Sequence, residues 1–218
     1  LGDVYKSQGM LQLLERDLKD SEMETEPAKM MFSEIERIER LLKQLLMHSH
    51  PMPIKSQSFN LHELLDTVLS FERSSHPGLR FTAYYDASLP DIEADRDKLH
   101  QVFLNLVRNA SEACPADGRV RVLTRHCAHW ELAGTNLDPT RRYILVSIED
   151  EGPGIPEELR KNIFKPLFST KKQGTGLGLS ISFRLVESHG GQLRYQPSER
   201  SGACFQVILP ESQTEPLE

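Results

Sequence analysis

The chain has 218 residues, of which 38% are hydrophobic and 27% charged, a balance typical of a folded protein rather than a disordered one. Its formal net charge of -6 provides no overall basic field, so nucleic acid is not expected as a partner. The three cysteines are widely spaced and form no C-x-x-C pair, which argues against a disulfide framework or a zinc site and favours a cytoplasmic setting. No stretch approaches the length of a membrane span, so we expect no membrane contact by this chain.

The first fifty or so residues have the pattern of two helices. In the second, apolar residues alternate at spacings of four and three, a heptad seam that needs a helical partner: Met31, Ile35, Ile38, Leu42 and Leu45. A rougher upstream stripe and a polar turn before Pro27 predict an antiparallel helical hairpin over residues 1–53, which we expect to form a homodimer. An ordinary amphipathic hairpin packed on its own domain is the alternative.

After Pro51 and Pro53 the pattern changes to mixed α and β, and we predict a second domain over residues 54–213 with a tail over residues 214–218. Predicted helices cover residues 61–72, 96–113 and 177–189, and predicted strands cover residues 80–85, 119–125, 143–150, 191–196 and 203–210. The last strands follow one another without helices between them. The fold class is therefore α+β, a two-layer sandwich of a mixed sheet with helices on one face.

The helix predicted over residues 96–113 has an unusual polar face. Opposite its apolar stripe, Gln101, Asn105, Asn109 and Glu112 recur at helical spacing. Asparagine is a mediocre helix former, so a pair one turn apart has a cost that a face of Glu and Lys would avoid. Amide oxygens can bind a hard cation such as Mg²⁺. A solvated helix face is the alternative.

The strand predicted over residues 143–150 ends in carboxylates beside glycines. Asp150 is followed by Gly152 and Gly154. A carboxylate fixed there can accept a hydrogen bond from an exocyclic amine such as that of adenine, and glycine lets a flat ring approach the backbone. A plain turn after an edge strand would give the same letters.

A third polar segment contains Gly174, Gly176 and Gly178 directly before an apolar run. It is not a Walker loop, which requires lysine immediately after the last glycine, and its spacing is not that of a dinucleotide fingerprint. Free backbone N–H groups that lead into a helix N-terminus are a favourable place for phosphate oxygens. A flexible turn is the alternative.

A helical hairpin, a helix with two asparagines, a strand that ends in Asp150 and a late glycine loop follow one another along the chain. Together they resemble the catalytic core of two-component sensor histidine kinases. The ATP-binding domain of these kinases belongs to the GHKL superfamily, with gyrase, Hsp90 and MutL. The boxes of the family are matched by residues 105–113 (N box), 150–156 (G1 box), 163–171 (F box) and 174–179 (G2 box). Residues 166–181 are most similar to the nitrogen-regulation type of these kinases.

The resemblance implies that ATP lies between the N-box helix and a mobile lid. It makes Asn109 the Mg²⁺ ligand and gives a catalytic role to both Asn109 and Asn105, its neighbour on the same helix face. It assigns Asp150 to the adenine amine, and Gly152 and Gly154 to the ring pocket.

For the other end of the nucleotide, the resemblance assigns one loop to the triphosphate: Gly174, Thr175, Gly176, Leu177 and Gly178. Lys171 could contact the γ-phosphate, or could simply be solvated. Phe164 and Phe168 would belong to the lid, although two phenylalanines so spaced could also be core.

The implied function is transfer of the ATP γ-phosphoryl group to a histidine, and then to an aspartate of a response regulator that docks on the hairpin. The acceptor-histidine motif is not found in the sequence, and we expect it just before Leu1. Two other functions stay open: a superfamily ATPase that uses water, and a non-catalytic dimerisation or interaction module. The ATPase usually has a general-base glutamate where this chain has Asn105. The polar stretch 127–142 has no assigned role.

Overall fold

The computed structural model describes residues 53–171, 175–198 and 202–211, all within the unit of the chain that spans residues 47–218. The hairpin predicted over residues 1–53 lies outside the described residues except for Pro53, and the tail predicted over residues 214–218 lies wholly outside them. Both stay predictions, as does the boundary between the two predicted domains.

The elements of the described part follow the predicted order. The helices are α1 (Leu61–Ser75), α2 (Arg96–Ala113), the single-turn α3 (Glu157–Arg160) and α4 (Gly178–Ser188), with a 3-10 helix at His129–Leu132. The strands are β1 (Gln57–Phe59), β2 (Arg80–Tyr84), β3 (Ile92–Ala94), β4 (Arg119–His126), β5 (Tyr143–Asp150), β6 (Gln192–Pro197) and β7 (Ala203–Pro210). The bounds predicted for α2, β5 and β7 are confirmed to the residue. None of the helices in this part of the chain has the length and apolar character needed to cross a bilayer.

Five strands form one mixed sheet in the order β2-β4-β5-β7-β6. The β2–β4 pair is parallel, and the β4–β5, β5–β7 and β6–β7 pairs are antiparallel. This arrangement confirms the predicted α+β class. The short strands β1 and β3 pair in a separate two-stranded sheet that the sequence did not indicate, because three residues are too few to show an alternating pattern.

Helix α1 is favoured both by a capping residue at its start and by apolar residues at helical spacing. The Asn60 side chain accepts hydrogen bonds from the backbone N–H groups of His62 and Glu63, which satisfies donors at the helix start. Its apolar residues recur at spacings of three, one, three and one and are at most 2% exposed: Leu61, Leu64, Leu65, Val68 and Leu69. This stripe packs α1 against α2, and α2 in turn packs against α4.

The period of two in β5 separates the two faces of the sheet. Ile144, Val146, Ile148 and Asp150 share one face, and Asp150 meets α2 there. The other face carries Tyr143, Leu145, Ser147 and Glu149. Chemistry placed at the end of β5 therefore depends on register, since a one-residue slip would exchange Asp150 for Glu149.

The polar stretch 127–142 covers part of the sheet face opposite the helices. Leu132 packs against Tyr143, Leu145 and Ile208, with Cys127 and Leu137 partly buried beside them. The stretch, for which the sequence indicated no role, is therefore a packed cover.

A buried carboxylate fixes this cover to the strands below. The Glu131 side chain is 4% exposed and accepts two hydrogen bonds from the Arg125 guanidinium, at 2.6 and 2.7 Å. From β6, Arg194 donates to the Glu131 carbonyl oxygen at 3.0 Å and lies 3.8 Å from the carboxylate. The hydrogen bonds from Arg125 hold the pKa of the Glu131 carboxyl below its ordinary value.

Glu131→Gln should therefore destabilise the fold at pH 7, by about 1–3 kcal/mol, since a charge-assisted pair is lost and Arg125 is left without its partner. A lowered folded-state pKa means that this stability is present above the unfolded pKa of about 4.3 and is lost as pH falls through the folded value. Urea unfolding at pH 7 and pH 3 should show a difference between the two proteins that shrinks on acidification. Glu93→Gln, at an exposed position of β3, is the control. An equal difference at both pH values would contradict the ion-pair explanation.

Candidate functional site

A cavity of about 400 Å³ opens among the C-terminal half of α2, the end of β5 and the start of α4. Segments that are distant in the sequence converge on it. The predicted site residues in its wall are Asn105, Asn109, Asp150, Gly154, Lys171, Thr175, Gly176 and Gly178. A concave site of this size, with apolar walls and a few convergent polar groups, is suited to a small ligand.

Four other predicted positions remain, of which one lies outside the described residues and three do not line the cavity. Gly174 lies outside the described residues. Gly152 stands behind Asp150, to whose carboxylate its N–H donates, and does not line the cavity. The Leu177 side chain is fully buried just before α4, so only its backbone could serve a ligand. Phe164 packs against the rings of Phe183 and Phe205 at 5.2 and 6.5 Å, as the core alternative predicts.

Asp150 is 2% exposed, and two backbone groups fix one of its oxygens. Its Oδ1 accepts hydrogen bonds from the N–H of Gly152 at 2.8 Å and from the N–H of Ala203, the first residue of β7, at 3.1 Å. Burial raises the pKa of the Asp150 carboxyl, and these two hydrogen bonds partly oppose the effect. Oδ2 has no hydrogen-bond partner among the described residues, so a second acceptor is left to a ligand.

Gly202, which no sequence motif marked as special, lies against the strand end that carries Asp150. Its φ is +90°, and a Cβ atom there would lie 2.0 Å from the Asp150 carbonyl oxygen. Only glycine fits a left-handed backbone pressed against another strand end. The signal is a glycine directly before a β strand, which by itself is too common to single out.

Asn105 connects α2 to the start of α4. Its Nδ2 donates to Ser182 Oγ at 2.9 Å. Gly178 lies so close that a Cβ atom would be 2.3 Å from Asn105 Oδ1. The glycine at this position is thus explained by the close approach of two helices, and it brings the N-terminus of α4 to the cavity.

Asn109, one turn further along α2, belongs to a polar cluster at the cavity wall. Its Oδ1 accepts a hydrogen bond from Lys171 Nζ at 3.3 Å, and the same ammonium group forms an ion pair with Glu112. Asn109 and Lys171, which the resemblance assigns separately to Mg²⁺ and to the γ-phosphate, are therefore in contact.

Arg108 also lines the cavity, although it is not among the site residues predicted from the sequence. It stands three residues after Asn105 on the same helix face. Its Nε lies 3.3 Å from Glu72 Oε1 of α1. The polar stripe of this helix was visible in the sequence, but its partner in α1 was not, because Glu72 reads there as an ordinary helix-surface residue.

Asp150→Asn should stabilise the fold at pH 7, by on the order of 1 kcal/mol, because the amide oxygen can accept the same two hydrogen bonds without a buried charge. The folded-state pKa of Asp150 is raised, so the neutral acid is the better-tolerated form. The penalty of ionisation is absent below the unfolded pKa of about 3.9 and grows as pH rises through the folded value. Urea unfolding should therefore give a gain at pH 7 that vanishes near pH 3. A variant that is less stable than the parent at pH 7 would contradict this balance.

Comparison with known proteins identifies the family. Residues 94–213 match the family described as histidine kinase-, DNA gyrase B- and HSP90-like ATPases, more than half of the chain, and the chain belongs to this family. The family is one of ATPase domains, so ATP is the ligand of this domain.

Its curated relatives are sensor kinases. The sensory histidine kinase/phosphatase NtrB of Azospirillum brasilense is 35% identical over 205 residues, which cover 93% of this chain and 50% of the relative. The signal transduction histidine-protein kinase AtoS of Escherichia coli (strain K12) is 34% identical over 204 residues, 93% of this chain and 31% of that protein. The chain thus spans about half the length of the NtrB proteins that it matches, and less of AtoS.

Solved structures agree with the family. The catalytic domain of histidine kinase ThkA is 32% identical with a TM-score of 0.62, covering 72% of this chain and 97% of that chain. ThkA in complex with the response regulator protein TrrA is 29% identical with a TM-score of 0.63, covering 94% of this chain and 56% of that chain. The described domain is therefore homologous to histidine kinase catalytic domains.

Proposed function

We propose that this chain is the ATP- and Mg²⁺-binding kinase part of a sensor histidine kinase, whose intact form transfers the γ-phosphoryl group to a histidine and then to a response-regulator aspartate. The observation that carries the proposal is the convergence of Asp150, Asn109 and the α4 N-terminus on one cavity. These are an acceptor for a base, an oxygen ligand for a cation and a donor site for phosphates.

The adenine end lies at Asp150. Its Oδ2 accepts a hydrogen bond from the exocyclic amine, while the Gly152 and Ala203 N–H groups hold the carboxylate in place. Apolar side chains of Ile155 and Ile163 form part of the wall beside it, and they suit a flat ring.

The phosphate end lies where α2 meets the start of α4. Gly176 and Gly178 line the cavity there, and backbone N–H groups at a helix N-terminus favour anionic oxygens. Thr175 lines the same wall, and the role of Gly174 rests on the sequence alone.

The Asn109 side chain fits a magnesium site. Its amide oxygen lies in the cavity wall, where it accepts a hydrogen bond from the exposed Lys171 ammonium group. A metal ion can replace Lys171 there, because the displaced ammonium group stays in contact with solvent and no buried group loses its partner. When bound, Mg²⁺ supplies neutralisation of phosphate charge. Lys171, released from Asn109 but still paired with Glu112, contacts the γ-phosphate through another of its three N–H donors.

The acceptor histidine comes from outside the described residues. No histidine of the described part lines the cavity. An imidazole that the intact protein supplies from outside these residues, in the same or a second copy, forms the new N–P bond as the bond to the ADP oxygen breaks, and positioning with charge neutralisation supplies most of the catalysis. A homodimer through the hairpin meets this need.

The response regulator is the proposed partner of the phosphorylated hairpin. Support comes from the solved complex of the similar kinase ThkA with the response regulator protein TrrA. We place this chemistry in the cytoplasm.

Hydrolysis by water is disfavoured by the carboxylates of the site. Within the described residues, the cavity wall contains Glu112 and Asp150. Glu112 is paired with Lys171, and Asp150 is committed to backbone N–H groups. Asn105, where a general base would stand, donates to Ser182 and cannot accept a proton from water at neutral pH.

Titration calorimetry on the chain should show ATP binding that strengthens with Mg²⁺. Asp150→Asn should lose at least about 10-fold in affinity, because its amide presents a donor to the adenine amine. Asn109→Ala should retain binding without Mg²⁺ and lose the gain that Mg²⁺ gives.

Two neighbours serve as matched controls for this titration. Glu149→Ala removes the preceding carboxylate, which faces the other side of the sheet, and Gln101→Ala changes an exposed amide one turn before Asn105. Both should bind like the parent chain. Failure of the parent chain to bind ATP would instead favour the interaction module.

Incubation with γ-labelled ATP separates the kinase from the ATPase. We expect neither label on the chain, because the acceptor-histidine motif is not found in its sequence, nor sustained phosphate release, because the carboxylates of the described cavity wall already have partners. Thin-layer chromatography and an acid-lability test of the protein band give both readouts. Sustained phosphate release would support the ATPase, and acid-labile label would place the acceptor within the chain.

A further inference from the structure

Helix α2 presents a four-residue polar stripe to the cavity. Asn105, Arg108, Asn109 and Glu112 follow one another at spacings of three, one and three, and all four line the wall. The proposed chemistry gives Asn109 a role, while Asn105 is occupied by Ser182 and Glu112 by Lys171. Arg108 is the member of the stripe whose purpose is unexplained.

A buried carboxylate holds Arg108 from behind. Glu72 is 0% exposed within the apolar stripe of α1, and its Oε1 lies 3.3 Å from Arg108 Nε. His76 Nδ1 lies 3.2 Å from the other carboxylate oxygen. A carboxylate in such surroundings is costly unless it is paired, so Glu72 is a poor choice for packing alone. It is well suited to fixing the direction of a guanidinium.

The far end of the guanidinium is left available. The Arg108 side chain is 47% exposed, and its terminal nitrogens have no hydrogen-bond partner among the described residues. Its Cζ stands 6.0 Å from the centre of the Phe71 ring, a contact that supports one side of the group. A guanidinium fixed through Nε and open at both terminal nitrogens presents the fork that binds phosphate oxygens in pairs.

The position of Arg108 along α2 selects the phosphate end of the cavity. At the C-terminus of the helix, Ala113 lies against the Gly152 backbone beside Asp150, the adenine end. About two turns towards the N-terminus, Asn105 meets Gly178 at the start of α4, the phosphate end. Arg108 lies in this second region, directly before Asn109. Lys171, the other cation in the described wall, shares its charge with Glu112, so a guanidinium at this end adds to the neutralisation of phosphate charge.

We propose, on the basis of the function proposed above, that Arg108 is a further catalytic residue that binds the terminal phosphate of ATP, and that Glu72 is its positioning residue. The guanidinium neutralises charge on the γ-phosphoryl oxygens while the group is transferred, and it forms no covalent bond. Because ADP lacks this phosphate, Arg108 gives the site a preference for ATP over ADP.

The test compares ATP with ADP by titration calorimetry in Mg²⁺. Arg108→Ala should lower the affinity for ATP at least about 10-fold and that for ADP less than about twofold, since a charge-assisted contact to one phosphate is lost. Arg108→Lys should give an intermediate loss for ATP. Glu72→Gln, which leaves Arg108 itself in place, should also reduce the ratio of ATP to ADP affinity, but by less than Arg108→Ala does.

Two further variants keep the result interpretable. The double variant Glu72→Gln/Arg108→Ala removes the buried charge together with its partner, so it stays folded if Arg108→Ala alone does not, and it should show the same loss for ATP. Arg73→Ala removes an exposed arginine of α1 outside the cavity and should leave both affinities unchanged.

The possible outcomes separate the two levels of the proposal. Equal losses for ATP and ADP, or no loss for either, would overturn the role of Arg108 while nucleotide binding by the parent chain stands. Absence of binding by the parent chain would overturn the proposed function and the role of Arg108 with it. A changed ATP to ADP ratio in Arg73→Ala would also overturn the assignment, because it would show a general effect of charge.

Discussion

The hydrogen bonds to the Asp150 carboxylate join three separate parts of the domain. Asp150 ends β5, Ala203 begins β7 and Gly152 begins the loop that lies against the end of α2. The position of this one oxygen atom therefore depends on the register of the sheet, on the ends of two strands and on the placement of α2. Because the carboxylate is buried and its pKa is raised, keeping it ionised has an energetic cost in the empty protein. A ligand that donates a hydrogen bond to the free oxygen recovers part of this cost.

Helix α2 has to serve the core and the site at once. Its apolar residues are fully buried against the sheet and α1, whereas its polar stripe forms the wall of the cavity. The neighbouring helices supply partners for this stripe, Glu72 from α1 to Arg108 and Ser182 from α4 to Asn105. The polar side chains are therefore held by the same packing that stabilises the fold, which is the condition for a preorganised site.

Patterns that repeat along one element were readable from the sequence, and contacts between elements were not. The bounds of α2, β5 and β7 followed from period and length, and the boxes indicated which segments would meet. Glu72 could not be selected, because its partner Arg108 is 36 residues away and a glutamate on a helix is usually solvated. Gly202 could not be selected for the same reason, since the need for glycine there comes from the close approach of the end of β5 in three dimensions. Leu177 shows the converse case: its side chain belongs to the core, so its assignment to the triphosphate depends on its backbone alone.

The cover formed by residues 127–142 begins and ends on paired strands, since His126 of β4 faces Ile144 of β5 in the ladder. A segment inserted between two adjacent, hydrogen-bonded strand ends can lengthen, shorten or change its sequence without altering the register of either strand. Asp150 lies at the opposite end of the same strand and on the other face. The cover can therefore change in length and sequence as a separate module, without moving the strand end that holds the nucleotide-binding carboxylate.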